Sequence, residues 1–174
     1  MAASIVGLGS IVKLFLSLLG REAFLVDLEI YTDKIGESGQ KIVRRAYEKA
    51  KSLKHAELYP EHVLIAYAEV EPSRFEILLQ KLNLEPQVVL QELSSRLGQG
   101  DHTAESMKLS NQFRDLLINA LRHAKDCGQR RIEASDLLIG IFSDSRGFPV
   151  KLFKRLGVQQ EAVLKGINDL KAVR

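Results

Sequence analysis

Cysteine is almost absent from this chain, and the scarcity excludes a disulfide-stabilised fold. Its 174 residues include one cysteine, Cys127, no tryptophan and four prolines. A single cysteine cannot form an internal disulfide, and no clear secretory signal is present, so we predict a cytoplasmic protein. Cys127 lies at the end of an apolar helical stripe. We predict a buried structural thiol there, with a reactive thiol as the alternative.

Motifs for catalysis and cofactor binding are also missing. The sequence contains no Gly-x-x-x-x-Gly-Lys-Ser/Thr element to hold ATP phosphates and no Gly-x-Ser-x-Gly element. Its four histidines show no metal-ligand spacing with cysteine or carboxylate. Cys127 has no base assigned by the sequence. We therefore predict that the chain is not an enzyme and holds no cofactor or metal.

Charge of one sign is in only slight excess. The formal net charge is +3, and Arg44-Arg45 and Arg130-Arg131 are pairs of adjacent arginines. Neither pair is interleaved with aromatic residues, which nucleic-acid-binding surfaces use for stacking. The composition therefore does not favour a nucleic-acid partner.

The first thirty residues differ from the rest. From Ala2 to Leu19 the only charged side chain is Lys13. The favoured interpretation is an apolar helix packed on its own domain or on a partner copy. Membrane contact through residues 2–19 is an alternative that the central lysine disfavours, and a targeting or start-site artefact is a third.

From Tyr31 onward the apolar residues recur at helical spacing. Pro60, Pro72 and Pro86 each suit the first position of a helix, where the missing N–H would be unpaired anyway. Ser110 is a candidate N-cap for a later helix. Three further helices are predicted around Leu137–Phe142, Val150–Leu156 and Ala162–Leu170. No segment alternates with a period of two, so no sheet is predicted.

An internal repeat is the strongest signal. Shifting the chain by 74 residues aligns its halves without a gap and places Ala46 on Ala120, Ala50 on Ala124 and Leu64 on Leu138. Each copy has an apolar face too large to bury alone, so the two should pack together. We predict an all-α fold of two four-helix repeats. The boundaries are an N-terminal extension at 1–30, repeats at 31–98 and 109–174, and a linker at 99–108.

A known family shares these features. The stretch Ala46-Tyr-Glu-Lys-Ala-Lys-Ser-Leu-Lys-His55, followed by Leu58-Tyr-Pro-Glu-His-Val-Leu-Ile65, resembles the N-terminal domain of the Clp ATPases ClpA, ClpB and ClpC. That domain has an alanine-rich helix ending near a histidine, then Thr-Glu-His-Ile-Leu opening the next helix. Ala134-Ser-Asp-Leu-Leu138 is the counterpart in the second copy. The resemblance covers residues 35–170.

The resemblance implies a recognition domain. Such domains bind adaptors and substrate segments, and pass clients to a ring ATPase. In the ClpC branch the glutamate of the Thr-Glu-His element helps to bind phosphorylated arginine, and only the first copy keeps it, as Glu61. Pro60 replaces the threonine, which removes a hydroxyl and an N–H. The favoured interpretation of Glu61 is therefore a carboxylate that compensates the helix dipole.

These features predict a protein-interaction module that recognises adaptors or unfolded, tagged substrates for a Clp-type unfoldase. The alternative is a helical scaffold attached to a membrane or partner through the apolar N-terminal helix. Two similar repeats should leave a groove at their junction that suits an extended peptide. By the resemblance, the helix starts that face it are Tyr59, Pro60 and Glu61 in the first copy, and Ala134 and Ser135 in the second.

Overall fold

The computed structural model describes residue 31, residues 33–103 and residues 107–172 of the chain. Within these ranges there are eight helices and two strands of two residues each, in the order α1 Glu37–Ser52, β1 Glu57–Leu58, α2 Pro60–Val70, α3 Pro72–Lys81, α4 Pro86–Leu97, β2 Lys108–Leu109, α5 Asn111–Asp126, α6 Ala134–Ser143, α7 Phe148–Arg155 and α8 Gln160–Ala172.

The helix starts follow the local sequence signals. Pro60, Pro72 and Pro86 each occupy the first turn of their helix, where no N–H is needed. Ser110 caps α5, because its hydroxyl accepts the N–H of Phe113 at 3.1 Å. The predicted short helices around Leu137, Val150 and Ala162 are present, and each begins two or three residues before its predicted start.

The fold repeats at the offset found in the sequence. Helices α1 and α5 have the same bounds when shifted by 74 residues (37 + 74 = 111 and 52 + 74 = 126). Left-handed backbone also recurs at this offset: Lys54 (φ 56°) corresponds to Gly128 (φ 72°), and Asn83 (φ 54°) corresponds to Gly157 (φ 86°). The all-α tandem repeat is thereby confirmed.

The prediction of no sheet is wrong, because the two repeats exchange short strands. Strand β1 pairs in parallel with β2, so that Leu58 lies opposite Leu109. A second, equivalent contact has the roles of the two copies exchanged, and there Ile35 pairs in parallel with Ile132. The ladder Ile35–Ile132 is the ladder Leu109–Leu58 shifted by 74 residues with the copies swapped (35 + 74 = 109 and 58 + 74 = 132). Two-residue strands are too short to show a period of two.

A single apolar core runs through both repeats. Helices α2 and α6 lie at its centre and are buried on nearly all sides, which explains why both sequences are apolar all round. Each central helix contacts the other and also contacts the first helix of the opposite repeat. The largest fully buried side chains include Tyr67, Phe113, Phe142 and Phe153. The two repeats therefore share one core, as expected of units that cannot bury their faces alone.

The left-handed residue that ends α1 offers a test of the repeat. Lys54 adopts a conformation that is unfavourable for a side chain with a Cβ, whereas the second copy has Gly128 there. We expect Lys54→Gly to raise the free energy of unfolding by about 0.5–1 kcal/mol, because relief of backbone strain outweighs the added flexibility of the unfolded chain. Urea denaturation measures this change. Gly128→Lys should lower the value by a similar amount, and a loss of stability in Lys54→Gly would contradict the argument.

Two sets of predictions fall outside the described residues. Residues 1–30, including the apolar segment 2–19, lie outside them, as do residues 104–106 of the predicted linker. Among the helices that the structure describes, none is long and apolar enough to cross a membrane. The described part of the linker lies along the first repeat, where the N–H groups of Gly100 and His102 donate to the carbonyls of Leu53 and Lys54.

Candidate functional site

A groove opens at the junction of the two repeats, beside the start of α2. It has a volume of about 540 Å³. The first repeat contributes the start of α2 and one residue near the end of α4, and the second contributes the start of α5 and the turn from α6 to α7. The lining residues are Tyr59, Pro60, Glu61, Arg96, Asn111, Gln112, Asp115, Gly140, Ile141, Asp144, Arg146, Gly147, Phe148, Pro149 and Lys151.

A second cavity continues the groove toward the linker. Its volume is about 400 Å³, and it shares Tyr59, Glu61 and Arg96 with the first. Its far end is formed by the loop after α1 and by residues 99–102. Both cavities are lined by the start of α2, and together they form a groove with more volume than one amino-acid side chain fills. Its shape suits an extended segment of chain.

Glu61 lies where the two cavities meet. It is in the first turn of α2 and only 8% of its surface is exposed. No side chain in the described ranges hydrogen-bonds to its carboxylate or forms an ion pair with it. Burial raises the pKa of Glu61, while its own backbone N–H and the positive charge of Arg96 act in the opposite direction. Among the described residues, the carboxylate of Glu61 is therefore a desolvated acceptor whose one donor is its own backbone N–H.

Two hydrogen-bonded histidines, His55 and His62, stabilise the start of α2. The Nδ1 atom of His62 accepts the backbone N–H of Tyr59 at 3.0 Å, so its Nε2 carries the proton in the neutral ring. That Nε2 lies 2.8 Å from Nδ1 of His55 and donates to it. Burial, followed by the neighbouring His55, lowers the pKa of His62 to about 3. His62 is therefore a neutral helix cap at physiological pH.

Aromatic side chains from both repeats line the groove. The ring of Tyr59 stacks on His62, and its hydroxyl donates to Glu57 at 2.8 Å. Burial is the largest cause that raises the pKa of Tyr59, followed by the hydrogen bond to Glu57. On the opposite wall, the guanidinium of Arg96 lies over the ring of Phe148, 5.4 Å from its centroid. The groove thus offers apolar area next to an acceptor.

The residues predicted from the sequence divide into two places. Tyr59, Pro60 and Glu61 line the groove together. Ala134 and Ser135 are not among its lining residues, and both are buried at the start of α6, where the N–H of Ala134 donates to the hydroxyl of Ser38. The Ser38 hydroxyl in turn donates to the carboxylate of Glu133. The start of α6 is therefore covered by the chain's own polar groups.

Other groove residues were missed by the sequence interpretation. Arg96, Asp144 and Phe148 come from the end of α4 and from the turn between α6 and α7. Around this turn the repeat is lost, because Gly147-Phe148-Pro149 has no match in Ser73-Arg-Phe75 at the offset of 74 residues. That mismatch was the available signal. Among the described residues, no group of three or more His, Cys, Asp or Glu side chains could hold a metal ion.

A family model described as the Clp repeat (R) N-terminal domain matches residues 34–156. The chain belongs to this family. The Clp repeat domain is 23% identical over 139 residues to the "Negative regulator of genetic competence ClpC/MecB" of Bacillus subtilis, a match that covers 76% of this chain and 17% of that protein. It is 24% identical over 144 residues to the chaperone protein ClpB of Oceanobacillus iheyensis, covering 79% of this chain and 18% of that protein.

The chain thus spans less than a fifth of the length of these curated relatives. Among solved structures, the Hsp104 N-terminal domain from Candida albicans has a similar fold, with a TM-score of 0.69 and 17% sequence identity. That similarity covers 81% of this chain and 93% of the Hsp104 domain. The chain therefore corresponds to the Clp repeat N-terminal domain of these larger proteins.

Proposed function

We propose that this Clp repeat domain binds an extended segment of an adaptor or of an unfolded client protein on behalf of a Clp-type unfoldase. The supporting observation is the groove over the start of α2, which holds the desolvated carboxylate of Glu61 beside the apolar surface of Tyr59. A backbone N–H or a basic side chain of the ligand would supply a further donor to the carboxylate of Glu61.

The domain would act by binding alone. The sequence has no phosphate-binding Gly-x-x-x-x-Gly-Lys-Ser/Thr element, so ATP hydrolysis would belong to a ring that the domain serves. The groove carries acidic groups at Glu61, Asp115 and Asp144, and basic groups at Arg96, Arg146 and Lys151. Such a mixed lining suits varied polypeptide segments better than a single small molecule.

Substitution of Glu61 tests this proposal. We expect Glu61→Gln to weaken binding at least several-fold, because the amide is a weaker acceptor for a charged donor. The measurement is fluorescence anisotropy of labelled β-casein, an unfolded protein, titrated with the full chain. Stability at neutral pH should stay the same or rise slightly, since burial disfavours the charged carboxylate in the folded state.

Glu76→Gln is the matched control, because Glu76 is exposed on α3 and undergoes the same change of charge. It should bind β-casein as the unsubstituted chain does. Equal loss of binding in both variants would indicate a non-specific charge effect and contradict the role of the groove. No binding of β-casein by the unsubstituted chain would contradict recognition of unfolded clients.

A further inference from the structure

A chain of polar side chains lies in the second repeat, away from the groove. The Nε2 atom of His123 is 3.7 Å from the sulfur of Cys127. On its other side, Nδ1 of His123 is 2.8 Å from Oδ1 of Asp136, whose side chain is fully buried. Cys127 is exposed, which makes the earlier prediction of a buried structural thiol wrong. The residue ends α5, where the chain turns out of the core at Gly128.

The surroundings of Asp136 determine which ring nitrogen of His123 carries the proton. The Lys171 ammonium lies 3.5 Å from Nδ1 of His123, but the carboxylate is much nearer at 2.8 Å, where two acceptors would repel, so Nδ1 carries the hydrogen and donates it to the carboxylate. Lys171 donates to the same carboxylate oxygen at 2.6 Å, and the other oxygen accepts the N–H of Glu133. The carboxylate is thus held at three points. The neutral ring of His123 therefore presents the lone pair of Nε2 to the thiol of Cys127.

The first repeat shows that the equivalent helix, α2, is capped without a thiol or a carboxylate at these positions. The residue equivalent to Asp136 is His62, which caps α2 without a carboxylate (62 + 74 = 136). The positions equivalent to Cys127, His123 and Lys171 are filled by Leu53, Lys49 and Leu97. The thiol and imidazole therefore lie beside a capping side chain in the second copy only, and the first copy caps its central helix without them.

We infer that Cys127 is a site of covalent modification by low-molecular-weight disulfides, with His123 as the proton acceptor and Asp136 as a positioning residue. The thiol proton moves to Nε2 of His123 while the Cys127 sulfur attacks one sulfur of the disulfide. A new S–S bond forms, the original S–S bond breaks, and the departing thiolate takes the proton from His123. The product is a mixed disulfide, because the chain has no second cysteine to displace the added group.

The rate of reaction with dipyridyl disulfide, followed by release of pyridine thione, tests this inference on the full chain near neutral pH. Each variant is measured folded and again unfolded in guanidinium, which gives the reactivity of the same thiol without its surroundings. We expect the unsubstituted chain to react faster folded than unfolded. In His123→Gln the folded rate should fall about tenfold or more, to below the unfolded rate. Cys127→Ser should not react.

Lys125→Gln is the matched control, because Lys125 lies in the same last turn of α5 and is exposed. It should keep the folded rate of the unsubstituted chain, and circular dichroism checks that both variants fold. An equal ratio of folded to unfolded rates in the unsubstituted chain and in His123→Gln would overturn the inference. The contact between sulfur and imidazole would then be only a consequence of their spacing by one helical turn. This result is independent of β-casein binding, so the two proposals fail separately.

Discussion

Lowering the pH from about 7 to about 5 is expected to reduce the free energy of unfolding by about 2 kcal/mol through His62 alone. Burial lowers the pKa of His62 from 6.5 to about 3, so the folded chain leaves the ring neutral while the unfolded chain protonates it. Below pH 6.5 the unfolded state therefore binds the additional proton, and stability falls with falling pH until the folded pKa is reached.

Urea denaturation at a series of pH values measures this effect. His62→Asn is the comparison, since its amide oxygen can still accept the N–H of Tyr59 but does not titrate. It should flatten the dependence between pH 7 and 5. Burial raises the pKa of Glu61, so Glu61 acts in the opposite direction. Burial also acts to raise the pKa of Glu69, but its bonds to Lys49 and Arg45 together lower that pKa, so Glu69 adds to the loss only in more acid solution. An unchanged pH dependence in His62→Asn would exclude His62 as the cause.

Replacing Asp136 by alanine is expected to lower the free energy of unfolding by about 3–5 kcal/mol. Its carboxylate is fully buried and accepts hydrogen bonds from the backbone N–H of Glu133, the ring of His123 and the ammonium of Lys171. Removal leaves the start of α6 without its cap and leaves a partly buried ammonium without its counter-charge. Because Lys171 belongs to α8, the loss should also loosen the contact between α6 and α8.

Urea denaturation near pH 7 measures this loss as well. Asp169→Ala is the matched control, because Asp169 is exposed on α8, and it should change stability by less than about 0.5 kcal/mol. Asp136→Asn should fall between the two, since it keeps an acceptor for the Glu133 N–H but loses the charge. A change in Asp136→Ala no larger than that in Asp169→Ala would show that the buried carboxylate adds nothing to stability.

The helices and their repetition could be predicted from the sequence because they depend on local signals. Apolar spacing, Pro60, Pro72 and Pro86 at helix starts, and Ser110 as an N-cap each act within one helical turn. The groove position of Tyr59–Glu61 was also predicted, from the resemblance together with the two-repeat arrangement. The functional use of these residues, and of Ala134 and Ser135, stays a prediction.

The remaining features depend on contacts between distant parts of the chain. The strand ladders contain two residues each and leave no pattern in the sequence. Cys127 lies on the same helical face as the buried Ala120 and Ala124. It is nevertheless exposed, because it ends α5 and the chain turns away from the core at the left-handed Gly128. The side chains that donate to Asp136, those of His123 and Lys171, lie 13 and 35 residues away along the chain, so only the fold brings them together.

Because the two strand ladders are reciprocal, each half of the folded structure includes a short segment from the other sequence copy. Leu58 pairs with Leu109 at the start of the second copy, and Ile132 pairs with Ile35 at the start of the first. A fragment cut at the linker would lose the partner strand of its own ladder, and its central helix would lose contact with the opposite first helix. A one-copy version of this architecture would therefore need to exchange arms with an identical molecule across a twofold axis. In this respect the present chain is equivalent to an arm-swapped homodimer whose subunits have been joined covalently.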